Sequence, residues 1–221
     1  MIPGEARGTM QIVDLTQTIS PQMPVYPGTE PPVFSLGCSL EVDGFREKKL
    51  TFFSHTGTHL DAPAHLLADG KTLDQFAAAQ FIGPACCLDF SAFKGEQIEV
   101  ADLEPHGAQL AQVEFCLLHT GWSRYWGDPR YFLDFPVLSL AAAQWLCRFE
   151  LKGIGFDAIS ADPVASLDLP IHQQLLGKNL VLIENLTNLE SLTKQQFLFS
   201  CLPLKLADAD GSPVRAVAIF S

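Results

Sequence analysis

The chain has little positive charge, no paired-cysteine motif and no long apolar run. Lys and Arg total 14 against 25 Asp and Glu, giving a formal net charge of −11 in 221 residues, with pI about 4.8. Such a surface repels phosphate backbones and anionic lipid, which argues against nucleic acid and membrane surfaces as partners. Cys38, Cys86, Cys87, Cys116, Cys147 and Cys201 are scattered with no CxxC pair. They are expected to be buried free thiols in a reducing cytoplasm. No run approaches the ~18 apolar residues that a membrane span needs. The opening MIPGEARGTMQIVDL has no apolar stretch flanked by basic residues, so no signal peptide is expected. Repeats, low-complexity segments and obvious linkers are also missing.

What the chain does have is apolar material: 48% hydrophobic against 18% charged residues. This suffices for one compact domain over residues 1–221 with a sizeable core. The surplus further suggests self-association.

Strands are expected at Gln11–Leu15 and Lys49–Phe53, separated by the stiff loop Ser20-Pro-Gln-Met-Pro-Val-Tyr-Pro-Gly28. Leu73–Phe81 is Ala-rich and reads as a helix ended by Gly83-Pro84. Then strands and helices alternate: strand Val113–His119, a helix over Leu140–Phe149 capped by Ser139, and strand Gly153–Ile159. A short helix Pro170–Leu176 stopped by Gly177 and a buried strand Leu180–Ile183 follow. This alternation implies parallel βαβ pairing. At the end, Leu202–Ala207 and Val214–Phe220 read as a hairpin around Asp208-Ala-Asp-Gly-Ser-Pro213. The expected architecture is mixed α/β with a substantial all-β portion.

The chemistry concentrates in His55-Thr-Gly-Thr-His59-Leu-Asp61-Ala-Pro-Ala-His65. Imidazole and carboxylate together suit zinc, manganese or iron. All four positions are odd, so a strand would turn them to one face. In a straight strand, however, His55 and His59 would stand roughly 13 Å apart, too far to share an ion. A helix is disfavoured by Thr56, Gly57 and Thr58, and Pro63 would break it. The chain is therefore expected to curl at Gly57, with Pro63 turning His65 back towards the others. His55, His59 and Asp61 on one ion would leave positions open for water and substrate.

Downstream, Glu184 follows Leu-Val-Leu-Ile, where a charge must be paired or bound. It reads either as a ligand or as the partner of a Lys or Arg. His172 reads either as a ligand or as a solvent-facing helix residue. His106 is expected to be exposed, and His119 to be a satisfied core histidine.

The pattern H-x-G-T-H-x-D-x-P-x-H resembles the signature of the cyclase family, which includes bacterial kynurenine formamidase and isatin hydrolase. Val13-Asp-Leu-Thr, Pro24-Val-Tyr-Pro-Gly28, Leu118-His-Thr-Gly-Trp122, Gly155–Pro163 and Ile183–Leu189 extend the likeness over most of the chain. The resemblance implies a first metal on His55, His59 and Asp61, with Asp61 bridging to a second completed by His172 and Glu184. It implies His65 as the catalytic acid/base. The implied fold is a swivelling β/β/α domain, usually dimeric (or a dimer of dimers), with the partner helping to close the pocket.

Two departures bear on the substrate. Formamidases of this type carry a tryptophan that faces the substrate's aromatic ring; here Tyr26 stands in its place, and Thr29 replaces the adjoining acid. Where formamidases carry paired histidines, this chain has His172-Gln173. Glu184 favours two ions over the arrangement in which an amide replaces that carboxylate. The implied reaction is hydrolysis of an amide, formamide or lactam by metal-activated water, with zinc or manganese as cofactor. Tyr26, helped by Phe52, Phe53 or Trp122, is expected to line the pocket. Cyclisation or dehydration on the same site, or metal binding without turnover, are the competing readings.

Overall fold

A computed structural model describes residues 10–192 and 196–220. Most of the amino-terminal stretch read for a leader lies outside them. Thirteen strands occur among the described residues. They are β1 (Gln11–Asp14), β2 (Val33–Cys38), β3 (Glu47–Thr51), β4 (His59–Asp61), β5 (Ile82–Asp89), β6 (Gln97–Ile98) and β7 (Phe115–His119). These are followed by β8 (Val137–Leu138), β9 (Gly153–Phe156), β10 (Val181–Glu184), β11 (Phe197–Ser200), β12 (Gly211–Pro213) and β13 (Val217–Phe220). The short helices are α1 (Leu40–Asp43), α2 (Val100–Leu103), α3 (Gly107–Leu110), α4 (Leu140–Leu146) and α5 (Pro170–Leu176).

Nine strands form one sheet in the order β1-β13-β11-β5-β7-β9-β10-β4-β12. The middle four, β5, β7, β9 and β10, are parallel, as the alternation of strands and helices predicts. Their side chains are buried on both faces, which is why they read as continuous apolar runs. Along β7, Cys116 and Leu118 enter one apolar layer with Leu146 of α4 and Leu175 of α5. Phe115 and Leu117 enter the opposite layer with Leu15 and Phe199. Burying each such side chain contributes roughly 1.5–3 kcal/mol.

The sheet must curl. Seven strand spacings separate β13 from β12, roughly 34 Å if flat. Yet only Val214–Ala216 link them, a reach of roughly 14 Å. The result is a half-barrel, and bridges at Thr16–Leu186 and Pro203–Val214 tie its margins. Mixed α/β architecture with a large all-β portion is thus the observed class.

Three local expectations are corrected. Leu73–Phe81 is not a helix but two 3-10 turns, Leu73–Gln75 and Ala78–Phe81. Phe76 and Ala77 between them are extended, because Leu73 and Phe81 both enter the core while the Leu73 N–H bonds to Ala209 O at 2.9 Å. Tertiary burial overrides the helix preference of alanine. Gly83-Pro84 ends nothing; both lie inside β5. Pro84 is tolerated because pairing with β7 starts one residue later, at Ala85–Phe115. The terminal hairpin is not Leu202–Ala207 with Val214–Phe220. β13 pairs with β11, and β12 departs to the far edge to pair with β4.

The cap expected at Ser139 is present, its hydroxyl accepting from the Ala142 N–H at 3.2 Å. All six cysteines are free thiols, and Cys86, Cys87, Cys116 and Cys201 are buried. His119 is buried, but its Nδ1 makes no hydrogen bond; Asp89 Oδ1, 3.2 Å away, lies outside bonding geometry. His106 is half-buried, not exposed, packing edge-on against Phe90 at 6.4 Å. No described helix is long and apolar enough to cross a membrane.

Candidate active site

Gly57 adopts φ +65°, the left-handed conformation that lets the chain curl between the first two histidines. A Cβ there would also meet Ile19 Cγ1 at 2.9 Å. Thr58, fully buried, fixes the bend by donating to Asn185 O at 2.7 Å and accepting from the Gln17 N–H at 2.8 Å. The rings of His55 and His59 come to 5.1 Å, centroid to centroid. Pro63 opens a 3-10 turn that ends at His65, whose ring lies 4.0 Å from that of His55.

β4 pairs with β10 in a register that sets Glu184 opposite His59 and Leu182 opposite Asp61. α5 delivers His172, whose Nε2 stands 3.1 Å from Glu184 Oε1 and 3.6 Å from Asp61 Oδ2. Asp61 Oδ1 is 2.7 Å from His55 Nδ1 and 3.2 Å from His59 Nε2. Glu184 Oε2 is 3.5 Å from His59 Nε2. The five side chains His55, His59, Asp61, His172 and Glu184 therefore converge. Glu184 and His172 are 4% and 3% exposed, which excludes a solvent-facing His172. Glu184 turns to the two histidines and accepts from the Ala161 N–H at 2.9 Å.

Each of the three histidines is held from behind. His59 Nδ1 donates to Gly57 O at 2.9 Å. His172 Nδ1 pairs with Asp162 Oδ2 at 2.7 Å. Asp162, fully buried, also accepts from the backbone N–H groups of Ile171 and His172, so one carboxylate caps α5 and orients its histidine. His55 Nε2 pairs with Asp210 Oδ2 at 3.0 Å. Such bonds orient each ring and turn its other nitrogen towards the carboxylates of the cavity floor.

Burial alone would depress His55, but Asp61 and Asp210 outweigh it and carry its pKa up to about 9. His172 is likewise raised well above its ordinary value, Asp162, Asp61 and Glu184 overcoming the cost of burial. For Asp61 burial opposes ionisation, yet His55, His172 and His59 hold its carboxyl well below the usual range. His65 differs: burial sets it below the ordinary histidine value.

These groups floor a cavity of about 440 Å³. Tyr26, Phe53, Met23, Ile159 and Leu169 give it an apolar wall. The Tyr26 hydroxyl donates to Val164 O at 3.3 Å. Neither Phe52 nor Trp122 lines the cavity; Trp122 donates its indole N–H to Tyr131 O at 3.2 Å and packs in the neighbouring aromatic cluster. Leu169 holds the strained conformation φ +44°, ψ +54° directly before Pro170 at the cavity edge.

Sequence reasoning missed Asp162, Asn185 and Asp210. Asn185 (φ +59°) donates to Gly57 O at 2.8 Å and accepts from the Tyr131 hydroxyl at 2.8 Å. Asp210-Gly211 reads as a turn; the usable signal was an acid beside a glycine that abuts a strand.

Residues 13–163 match the family model described as "Putative cyclase", which covers more than half of the chain. The chain is 35% identical over 211 residues to the kynurenine formamidase of Bacillus mycoides, covering 95% of this chain and 97% of that one. Isatin hydrolase A from Ralstonia solanacearum superposes with a TM-score of 0.86 at 28% identity, over 98% of this chain and 94% of that one. A predicted metal-dependent hydrolase from Bacillus stearothermophilus superposes at 0.79 with 25% identity, over 96% and 99% of the two chains. With its signature residues gathered at one cavity floor, the chain belongs to the cyclase family of metal-dependent hydrolases.

Proposed function

We propose that this enzyme hydrolyses the C–N bond of a small aryl formamide or strained cyclic amide, using two divalent ions, zinc or manganese. The observation that carries this reading is the convergence of three imidazoles and two carboxylates on the cavity floor. Two groups of donor atoms, His55/His59/Asp61 and Asp61/His172/Glu184, each lie within 4.8 Å of one another. Imidazole nitrogen and carboxylate oxygen in this number suit zinc or manganese, and the rear nitrogen of every histidine is already engaged, so the donor set fits. Asp61 would be shared between the two ions.

Such ions supply Lewis acidity, polarising a carbonyl and lowering the pKa of water from 15.7 towards about 7. The chain's own residues do the rest. Tyr26 and Phe53 pack the substrate's ring and set its carbonyl over the floor. His65, neutral at pH 7 because burial depresses it, accepts a proton from the attacking water. As the new C–O bond forms and the C–N bond breaks, His65 returns that proton to the leaving nitrogen. The products are an amine and a carboxylic acid, which releases its remaining proton to solvent and leaves as the carboxylate. Its Nδ1 lies 3.5 Å from Asp210 Oδ2, which leaves Nε2 for the transfer.

The same reading places the chain in the cytoplasm as one domain, consistent with its six free thiols. A small-molecule substrate fits the cavity, and the acidic surface disfavours nucleic acid and anionic membranes. A dimer is supported by the β2–β3 ribbon and the α1 turn that joins its strands, which expose Val33, Leu36, Leu50 and Val42, more apolar surface than a two-stranded ribbon in water sustains.

The test is hydrolysis of N-formylkynurenine and of isatin by chelator-treated protein and by the same protein reloaded with zinc or manganese. Chelation should abolish turnover of at least one substrate and reloading restore it. Metal-free protein with undiminished turnover would contradict the proposal. Bound metal without turnover of either compound would reject these substrates and favour binding alone or cyclisation.

A further inference from the structure

Asp210 touches both parts of the site at once. Its Oδ2 stands 3.0 Å from His55 Nε2 and 3.5 Å from His65 Nδ1, and those two rings are stacked at 4.0 Å. The other nitrogen of His55 faces Asp61 at 2.7 Å. Of the three groups that hold the clustered histidines from behind, Gly57 O serves His59 and Asp162 serves His172. Asp210 is the one of the three that also reaches His65.

The backbone places it there deliberately. The Ala62 N–H bonds to Asp210 O at 2.8 Å, and β12 begins at the next residue with Gly211 opposite Asp61. Gly211 is required at this point, since a Cβ would stand 2.6 Å from His55 Cε1. Its bare backbone leaves room for the His55 ring, whose Nε2 faces the preceding carboxylate. Asp210 is half-exposed at the cavity, and its carboxylate faces the rings of His55 and His65.

We infer that Asp210 is a positioning residue that sets the first metal's ligand His55 and the acid/base His65 in a common orientation. The inference rests on the metal-hydrolase reading above. Carboxylates behind a ligating histidine are worth about 10–100-fold in metal affinity or activity. A carboxylate that also orients the acid/base must act on the chemical step even when metal is saturating, because misplacing a proton-transfer group slows turnover directly.

The experiment compares wild type, Asp210→Asn and Asp162→Asn by zinc titration against a chromophoric chelator and by steady-state hydrolysis of whichever substrate wild type turns over. Thermal unfolding of each zinc-loaded variant checks that it is folded. Asp210→Asn should weaken one zinc by about 10–100-fold and, at saturating zinc, lower kcat by at least about 10-fold more than Asp162→Asn does. KM should stay within about threefold, since the effect falls on the chemical step and not on ground-state binding. Asp162→Asn should weaken the other zinc. A folded Asp210→Asn protein with wild-type zinc affinity and kcat overturns the inference. Equal kcat losses in the two variants at saturating zinc also overturn it, reducing Asp210 to a holder of His55. Wild type that binds no zinc overturns the functional reading itself, and this inference with it.

Discussion

Asp61 and His172 face one another at 3.6 Å, Oδ2 to Nε2, although one comes from β4 and the other from α5. The opposite oxygen of Asp61 is turned towards His55 and His59. One carboxylate thus joins two groups of donors, and it does so because antiparallel pairing of β4 with β10 sets His59 beside Glu184. A one-residue slip of that register would turn Asp61 and His59 to the other face of the sheet.

Replacing His65 would separate the proposed proton transfer from metal binding. His65→Gln should lower kcat by roughly 10²–10⁴ while leaving zinc content at the wild-type level. Elemental analysis alongside steady-state kinetics checks both. Loss of zinc in this variant would make His65 a ligand and close the coordination that the mechanism needs open.

In metal-free protein the raised value of His55, about 9, compares with about 6.5 in an unfolded chain. His172 is raised in the same sense. A proton bound more tightly in the folded state stabilises it fully below about pH 6.5, and that stability is lost as pH rises through about 9. The Tm of metal-free protein should therefore fall across this window by a contribution that zinc-loaded protein lacks. Zinc uptake at pH 7 should also expel about two protons, since ligating histidines must be neutral. A flat Tm between pH 6.5 and 9 without metal would contradict the pairing of these histidines with carboxylates.

Tyr26 forms part of the cavity's apolar wall. Tyr26→Ala should raise KM for an aromatic substrate by roughly 10-fold, the worth of one aromatic contact, with kcat changed far less. A kcat loss at unchanged KM would place Tyr26 in the chemical step instead.

Asn185 ties the bend at Gly57 to the aromatic cluster. Asn185→Ala would leave the buried Tyr131 hydroxyl without its partner at 2.8 Å and put alanine at φ +59°. Zinc-loaded protein should lose about 2–4 kcal/mol, read by urea unfolding. A loss under about 0.5 kcal/mol, the scale of an ordinary surface change, would show that these bonds are replaceable.

The parallel strands and the bend at Gly57 were legible in the sequence because their causes are local: continuous apolar runs, and a glycine between threonines. Ser139 and Pro170 marked helix starts for the same reason. Leu73–Phe81 misled because its alanines favour helix, while the core positions of Leu73 and Phe81 are set by distant partners. Asp210 was invisible as a site residue. Its neighbours His55 and His65 reach it only through the pairing of β12 with β4, which no local pattern announces. The hairpin expected near the carboxyl end failed on the same strand, because β12 pairs with β4 and not with its sequence neighbours. Glu184 stood out earlier because a charge ending an apolar strand demands a partner wherever it comes from.

The central claim is that Asp61 bridges two ions that both serve turnover. Zinc content of wild type and of Asp61→Asn, measured by elemental analysis with hydrolysis followed in the same samples, tests it most directly. Wild type should carry about two zinc ions per chain and the variant should lose most of both, with turnover down by roughly 10³ or more, about 4 kcal/mol of transition-state stabilisation. An Asp61→Asn protein that keeps two ions and wild-type turnover would contradict the bridging role outright.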